Sequence, residues 1–295
     1  MHSRVSPDIL LSIMWLILSL AAVCLFTAQN LLMRVLAVKS DHPRTFSFVF
    51  NCWGTLFAAI VYLIDQPGRQ AVFGPVSAHQ WMLITGAILA YGLYERSHFL
   101  ARKQLDASTT AILFRLNPVI TFVGALLFLR EPFSWDKGIG GALLIGASFV
   151  LVHKNPSLRA SKAVWIALFS AIALGLAGVL DKPASAELPA SLYSVMVWGG
   201  SLPVVAFPAI SLRQIKKEFT IGGWKTAVTA LLNVCGFILY INALGLADAS
   251  RVNPVVSSSG TLVVIAGIVF LKEYSHIGKK IFAGILMLLG VLLLR

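Results

Sequence analysis

The chain has 295 residues, of which 58% are hydrophobic and only 12% charged, with a mean hydropathy of +0.83. A soluble protein of this length needs a larger polar share to cover its surface, so the composition excludes a soluble globular domain. The net charge of +12 is scattered through short segments, which points to anionic lipid headgroups rather than nucleic acid as the partner of the basic residues.

Between the charges lie runs close to the roughly 20 apolar residues that a bilayer-crossing helix needs. Ten are read in chain order, at about 9–33, 45–64, 77–101, 107–129, 138–153, 163–181, 188–211, 223–247, 252–271 and 278–295. The first run is too long for a signal-peptide core and is expected to be retained. It ends with Asn30 and Arg34, four residues apart and expected near a membrane surface. Span 2 carries Ser47, Asn51 and Thr55 on one face, a pattern of small polar residues that either packs helices or binds substrate.

Span 3 carries a polar stripe, Tyr91, Glu95, His98 and Arg102, at the spacing of one helical face. An ionisable group inside a span costs about 2.5–3.5 kcal/mol on insertion scales, so this face should line water or protein. Span 4 contains Arg115, then Asn117-Pro118 and Thr121. Glu95 and Arg115 each lie ten residues from Leu105 at the intervening turn. At about 1.5 Å per residue both sit some 15 Å from it, which makes an ion pair natural. Two readings stand side by side. The pair fixes the hairpin, or Arg115 attracts a substrate carboxylate or phosphate while Glu95 exchanges a proton or holds a cation.

Span 8 places Asn233 and Tyr240 on one face, and span 9 opens with Asn253-Pro254 and continues through Ser257, Ser258, Ser259, Gly260 and Thr261. Proline removes an intrahelical hydrogen bond, so Pro118, mid-membrane, is the better candidate for backbone facing a cavity, and Pro254 for a fixed kink. Trp81, Trp135 and Trp224 fall near span ends, as an aromatic belt does. Trp15, Trp53, Trp165 and Trp198 lie within spans 1, 2, 6 and 7, where they either stack on a substrate or pack. Cys24, Cys52 and Cys235 all fall within spans and read as buried small hydrophobes.

The chain also repeats itself. At an offset of 142, Asp106-Ala107-Ser108 falls on Asp248-Ala249-Ser250, and Phe128-Leu129-Arg130-Glu131 on Phe270-Leu271-Lys272-Glu273. Five spans is an odd number, so the second copy must enter the membrane from the opposite side. The expected organisation is a first half over 1–154, a polar linker over 155–162 and a second half over 163–295. The fold class is all-α integral membrane, ten transmembrane helices as two inverted five-helix repeats around a central cavity. Glu131 and Glu273 each sit at a helix end beside a basic residue, which suggests gates or loop pins rather than ligands. Counting Lys and Arg by side gives seven on the side of the termini and fifteen opposite, which places both termini outside the cytoplasm.

Leu129-Arg130-Glu131 followed by Trp135–Gly146, echoed by Leu271-Lys272-Glu273 followed by Gly278–Leu289, resembles the ten-helix EamA-like branch of the drug/metabolite transporter superfamily. The resemblance implies that spans 1–4 and 6–9 line the cavity, that spans 5 and 10 are peripheral, and that both termini are cytoplasmic, against the charge count. Members of that family carry amino acids, nucleotide sugars, cofactors, choline or other metabolites. No metal spacing, phosphate-binding glycine loop or nucleophile–base pair occurs, so no enzyme activity, cofactor or metal is expected. The expected function is alternating-access secondary transport of a small polar metabolite in a bacterial inner membrane. An amino acid or related zwitterion is the foremost candidate, exported or exchanged, with coupling to protons as one option and a homo-oligomer allowed. The rival reading is a degenerate carrier kept as a membrane scaffold.

Overall fold

A computed structural model describes residues 7–70, 76–128, 133–153 and 161–294 of the chain. Thirteen α-helices account for the described residues: α1 (Pro7–Lys39), α2 (Pro43–Ile64), α3 (Gln66–Gln70), α4 (Ala78–Gln104), α5 (Ala107–Leu113), α6 (Leu116–Phe128), α7 (Trp135–His153), α8 (Lys162–Ser185), α9 (Ala190–Ala206), α10 (Leu212–Leu246), α11 (Ala249–Ser257), α12 (Ser259–Val269) and α13 (Ile277–Leu294). Six stretches among them are long and apolar enough to cross a membrane, and Gly138–Ala147 and Ala190–Ala206 are shorter apolar helices. Residues 155–160 of the expected linker lie outside the described residues.

The packing is that of a membrane bundle. Large apolar side chains cover the outside, among them Phe128, Trp135, Trp224 and Phe270, each more than 70% exposed. Polar side chains, including Glu95, His98, Arg102, Arg115 and Asp181, are buried. In lipid this arrangement costs nothing outside, and inside it satisfies polar groups against one another. Cys24 and Cys52 are exposed on the outer face rather than buried. Trp81 joins Trp135 and Trp224 there.

The helix pairing is reciprocal between the two parts of the chain. α4 lies along α8 as α1 lies along α10, α2 meets α10 as α9 meets α4, and α6 meets α8 as α1 meets α11 and α12. α2 pairs with α9, and α7 with α13. Close approach is bought by small residues. A side chain at Gly54 would collide with the ring of Trp198, and one at Gly175 would meet Ile120 and the Asn117 carbonyl.

Spans 4 and 9 are each broken in the middle. The first divides into α5 and α6 at Phe114–Arg115, where Arg115 N–H donates to the Ile112 carbonyl and Asn117 N–H to the Phe114 carbonyl. Pro118 supplies the cause, because its ring excludes a helical bond to the carbonyl of Phe114, four residues earlier. The second divides into α11 and α12 at Ser258. The repeat offset carries Arg115 onto Ser257, the residue before the second break, so the two breaks fall at nearly equivalent positions. In α10, Gly223 takes a φ of +52°, and the helix kinks there between a charged segment and the apolar one.

Candidate functional site

A cavity of about 160 Å³ lies at the centre of the bundle. Its walls come from α1, α2, α4, α6, α8, α9, α10, α11 and α12, and no described residue of α7 or α13 reaches it. An apolar cavity of about 150 Å³ holds a benzene, so the volume suits a small metabolite.

One wall is a chain of hydrogen bonds along the polar face of α4. The Glu95 carboxylate accepts from Asn51 Nδ2 at 2.9 Å and from Ser47 Oγ at 3.3 Å, and lies 2.9 Å from His98 Nε2. Arg102 Nε donates to His98 Nδ1 at 3.2 Å, and its Nη2 donates to Asn30 Oδ1 at 2.7 Å. His98 stacks on Tyr94, with ring centroids 4.4 Å apart. Glu95 therefore has His98 as its neighbour, with Arg102 one residue further along. Ser47 and Asn51, the polar face of α2, hold this carboxylate, while Thr55 bonds back to its own helix.

One turn back along α4, the lining is built around Asp181. Tyr91 donates to its Oδ2 at 2.6 Å and Tyr193 to its Oδ1 at 2.8 Å. Tyr240 stands beside the same carboxylate and donates to Asn253 Oδ1 at 2.8 Å.

Arg115 sits at the break between α5 and α6, and its guanidinium rests across Gly260, where a side chain would collide with it. Its Nε donates to the Ala111 carbonyl at 3.3 Å, and its buried Nη1 has no partner. Asn51 Oδ1 and Asn253 Nδ2 are likewise buried and unpartnered. Unpaired buried donors and acceptors cost about 1–3 kcal/mol each, and all three of these residues line the cavity.

A second cluster closes the bundle at the start of α5. Glu273 accepts from the backbone N–H of Ala107 at 2.7 Å and of Ser108 at 3.0 Å, and from Ser108 Oγ at 2.6 Å. Lys280, almost fully buried, bridges to Asp106 at 2.8 Å and approaches Glu273 at 3.8 Å. Burial pushes the Asp106 carboxyl up, but hydrogen bonds from Lys280 and Ser275 outweigh it and hold the group below the usual carboxylate range. Outside the spans, a hydrogen bond from Lys217 lowers Asp41 in the same way.

Comparison with known proteins is decisive for the family. The EamA-like transporter family matches residues 13–153 and again 161–295, nearly the whole chain in two stretches. The chain belongs to the EamA-like transporter family. It is an integral membrane protein by its family and its apolar helices. An uncharacterized transporter of Archaeoglobus fulgidus is 21% identical over 263 residues, 88% of this chain and 90% of its own length. The probable 4-amino-4-deoxy-L-arabinose-phosphoundecaprenol flippase subunit ArnF of Shewanella sediminis is 30% identical over 153 residues, 49% of this chain and 92% of its own. A solved crystal structure shares the fold, with a TM-score of 0.65 at 14% identity and 94% of each chain covered.

Of the residues singled out in this EamA-like chain, the fold brings Glu95, Arg115, Tyr91, Asn117, Asn51, Asn233, Tyr240 and Ser257 to the cavity wall. His98 stands directly behind Glu95, and Pro118 lies buried in the first turn of α6. Glu95 and Arg115 do not form the expected ion pair. Matched depth on neighbouring helices holds only for an unbroken span 4, and the break at Phe114–Arg115 re-aims the arginine. Asn30 and Arg34 are not merely interfacial, since Asn30 lines the cavity and Arg34 caps the last carbonyls of α4 at Arg102 and Lys103. Of the four inner tryptophans, Trp198 lines the cavity, Trp53 stacks between Phe57 and Phe219, Trp15 packs beside the core and Trp165 is exposed. Glu273 is a helix cap, and Glu131 lies outside the described residues. Asp181 escaped the sequence reading because the apolar run 163–181 ends on it, where an acidic residue reads as a boundary. Its spacing to Gly178, Gly175 and Leu174, all on the α8 face that meets the cavity or α6, was the available signal.

Proposed function

We propose that this chain is a secondary carrier that moves a small polar metabolite by alternating access, with an amino acid or related zwitterion as the foremost substrate class. The single observation that carries the reading is Arg115, a buried guanidinium with a free Nη1 at the wall of a metabolite-sized cavity. An arginine donor without an acceptor at such depth favours an incoming carboxylate or phosphate, because charge-assisted hydrogen bonds recover its desolvation cost. The acidic residue Glu95 on the same cavity supplies the complementary pole for a cationic group. The ArnF relative is named for a substrate with both an amino group and a phosphate, in keeping with a ligand of two poles.

The architecture proposed with it is ten spans in two oppositely inserted halves, 1–154 and 163–295, joined by 155–162. Three observations support it. The helix pairing is reciprocal. Broken helices recur at equivalent positions. The ArnF relative corresponds over nearly its whole length to half of this chain. Broken helices that meet at mid-bundle are the means by which carriers expose polar backbone to a substrate. Glu273 holds one half against the other at one end. The proposed setting is a bacterial inner membrane, with lipid covering the apolar exterior.

The test is efflux from proteoliposomes loaded with a mixed pool of amino acids and phosphorylated metabolites, read by mass spectrometry. Selective loss of one class of compound is the expected result. No loss above protein-free liposomes, from protein that elutes as a folded species, overturns the reading in favour of a scaffold.

A further inference from the structure

Two carboxylates face the cavity, and they differ in what neutralises them. Glu95 has His98 beside it and Arg102 behind. Asp181 is fully buried and its bonded partners are phenols: Tyr91 from α4, Tyr193 from α9 and, close by, Tyr240 from α10.

The elements packed on Asp181 bring it no cation. Lys182, its neighbour in sequence, reaches away to Asp248 at 3.1 Å. On α4, Glu95, His98 and Arg102 bond among themselves and to α1 and α2, and Arg96 caps carbonyls at the end of α9. α5 and α6 carry no titratable side chain, and Arg115 at the break between them lines the same cavity but is held on the Ala111 carbonyl and across Gly260, not on Asp181. On α10, Lys225 and Glu218 lie four or more turns from Tyr240, and Cys235 is the remaining titratable group of the apolar segment. α11 contributes Asn253, and its Arg251 is exposed.

We infer that Asp181 is a proton-binding site of this protein, opened to the cavity through its tyrosine cage, and that the proton it takes up is the coupling ion of transport. The geometry discriminates between ligands. Both carboxylate oxygens already accept a hydrogen bond, which leaves lone pairs but little room. A proton needs one lone pair and no volume, whereas a metal cation needs a fuller shell of oxygens. Phenols suit both states of the acid, since each donates to the carboxylate and can turn to accept from the carboxylic O–H. The step is a simple addition of H⁺ to one Oδ and its later release to water, with no other bond made or broken. Desolvation supplies the drive, because a buried carboxylate without a counter-charge costs several kcal/mol that a proton removes. Neutralising Asp181 changes the charge of a group that ties α8 to α4 and α9, so the proton is felt by helices from both parts of the chain.

The proton site stands apart from the carrier reading, and only its coupling role rests on it, so the experiment has two arms. In the first, acid-minus-base infrared difference spectra are recorded on the purified full chain and on Asp181→Asn. The expected result is a titrating carboxylic-acid C=O band, shifted in D₂O, that is lost in the variant. A band that persists in Asp181→Asn, or no band in the parent protein, overturns the site. Tyr193→Phe covers the case in which Asp181→Asn does not fold: removing one hydrogen bond should shift the band's frequency, and an unmoved band overturns the assignment. In the second arm, amino-acid efflux from proteoliposomes is compared with and without a pH gradient. The gradient should accelerate the parent protein, while the two fluxes become equal in Asp181→Asn. Acceleration that survives the substitution overturns the coupling role. A parent protein that shows the band yet moves nothing refutes the carrier reading and leaves the proton site standing.

Discussion

The two broken spans occupy equivalent places in the two copies of the repeat, yet they bring different chemistry to the cavity. The first, α5–α6, places Arg115 at its break, and the second, α11–α12, places Ser257 at the corresponding residue, with Ser259 and Gly260 after it. Both residues line the cavity, and the arginine lies across the glycine of the other span. The duplication thus supplies a frame with two breaks that meet, and a single unmatched side chain sets them apart. Gly260 is the partner this requires: no larger residue leaves room for the guanidinium.

The sharpest way to break this contrast is Arg115→Gln. Loss of a charge-assisted contact worth about 1.5–3 kcal/mol lowers flux of anionic-group substrates by about 10- to 100-fold, with the folded yield unchanged. Glu273→Ala comes next. It removes the acceptor of two backbone N–H groups and a hydroxyl at the start of the first broken span, and lowers stability by about 1–3 kcal/mol in detergent unfolding. Glu131→Ala should match it if the second broken span is capped in the same way, and a silent Glu131→Ala would show that the two ends are not equivalent.

Gly260→Ala sharpens the comparison from the other side. The added methyl displaces the end of a flexible side chain rather than backbone, so a loss of about 3- to 10-fold in flux with little loss of stability is expected. Asp106 provides a pH test of the frame at the same end. Its folded-state carboxyl is held below the usual range by Lys280 and Ser275, so the stability it adds is present above the unfolded value of about 3.9 and fades as pH falls through the lower folded value. The melting difference between the parent chain and Asp106→Asn should therefore be full near neutrality and shrink in acid below about pH 4. Ser257→Ala is the smallest change, a drop of about twofold in flux, because a neutral hydroxyl sits at the low end of a hydrogen bond's net worth, about 0.5 kcal/mol.

The residues themselves explain what could be read without coordinates. Apolar runs are long and the charges that end them are few, so the helices were legible, as was the polar face of α4. Its polar residues leave α4 less apolar than the six clear spans, although it is a long central helix. Partnerships were harder. Glu95 and Arg115 lie at matched depth only if span 4 is straight, and Pro118 prevents that. Asp181 looked like a span end, but α8 runs on to Ser185, where the Gln80 side chain caps the carbonyls of Pro183 and Ala184. Periodicity records which residues share one helix face. It holds no information on which neighbour faces them, and the cavity is made of such neighbours.

The most direct test of the central claim, that the cavity at the two breaks is the substrate site, is ligand-induced stabilisation of the purified chain. Amino acids and phosphorylated metabolites would be screened for a rise in melting temperature, since a compound that binds only the folded state stabilises it by RT ln(1 + [L]/Kd). The account predicts that compounds bearing a carboxylate or phosphate raise the melting temperature of the parent chain and fail to do so in Arg115→Gln. Equal stabilisation of both proteins by the same compounds would place the binding site elsewhere and contradict it.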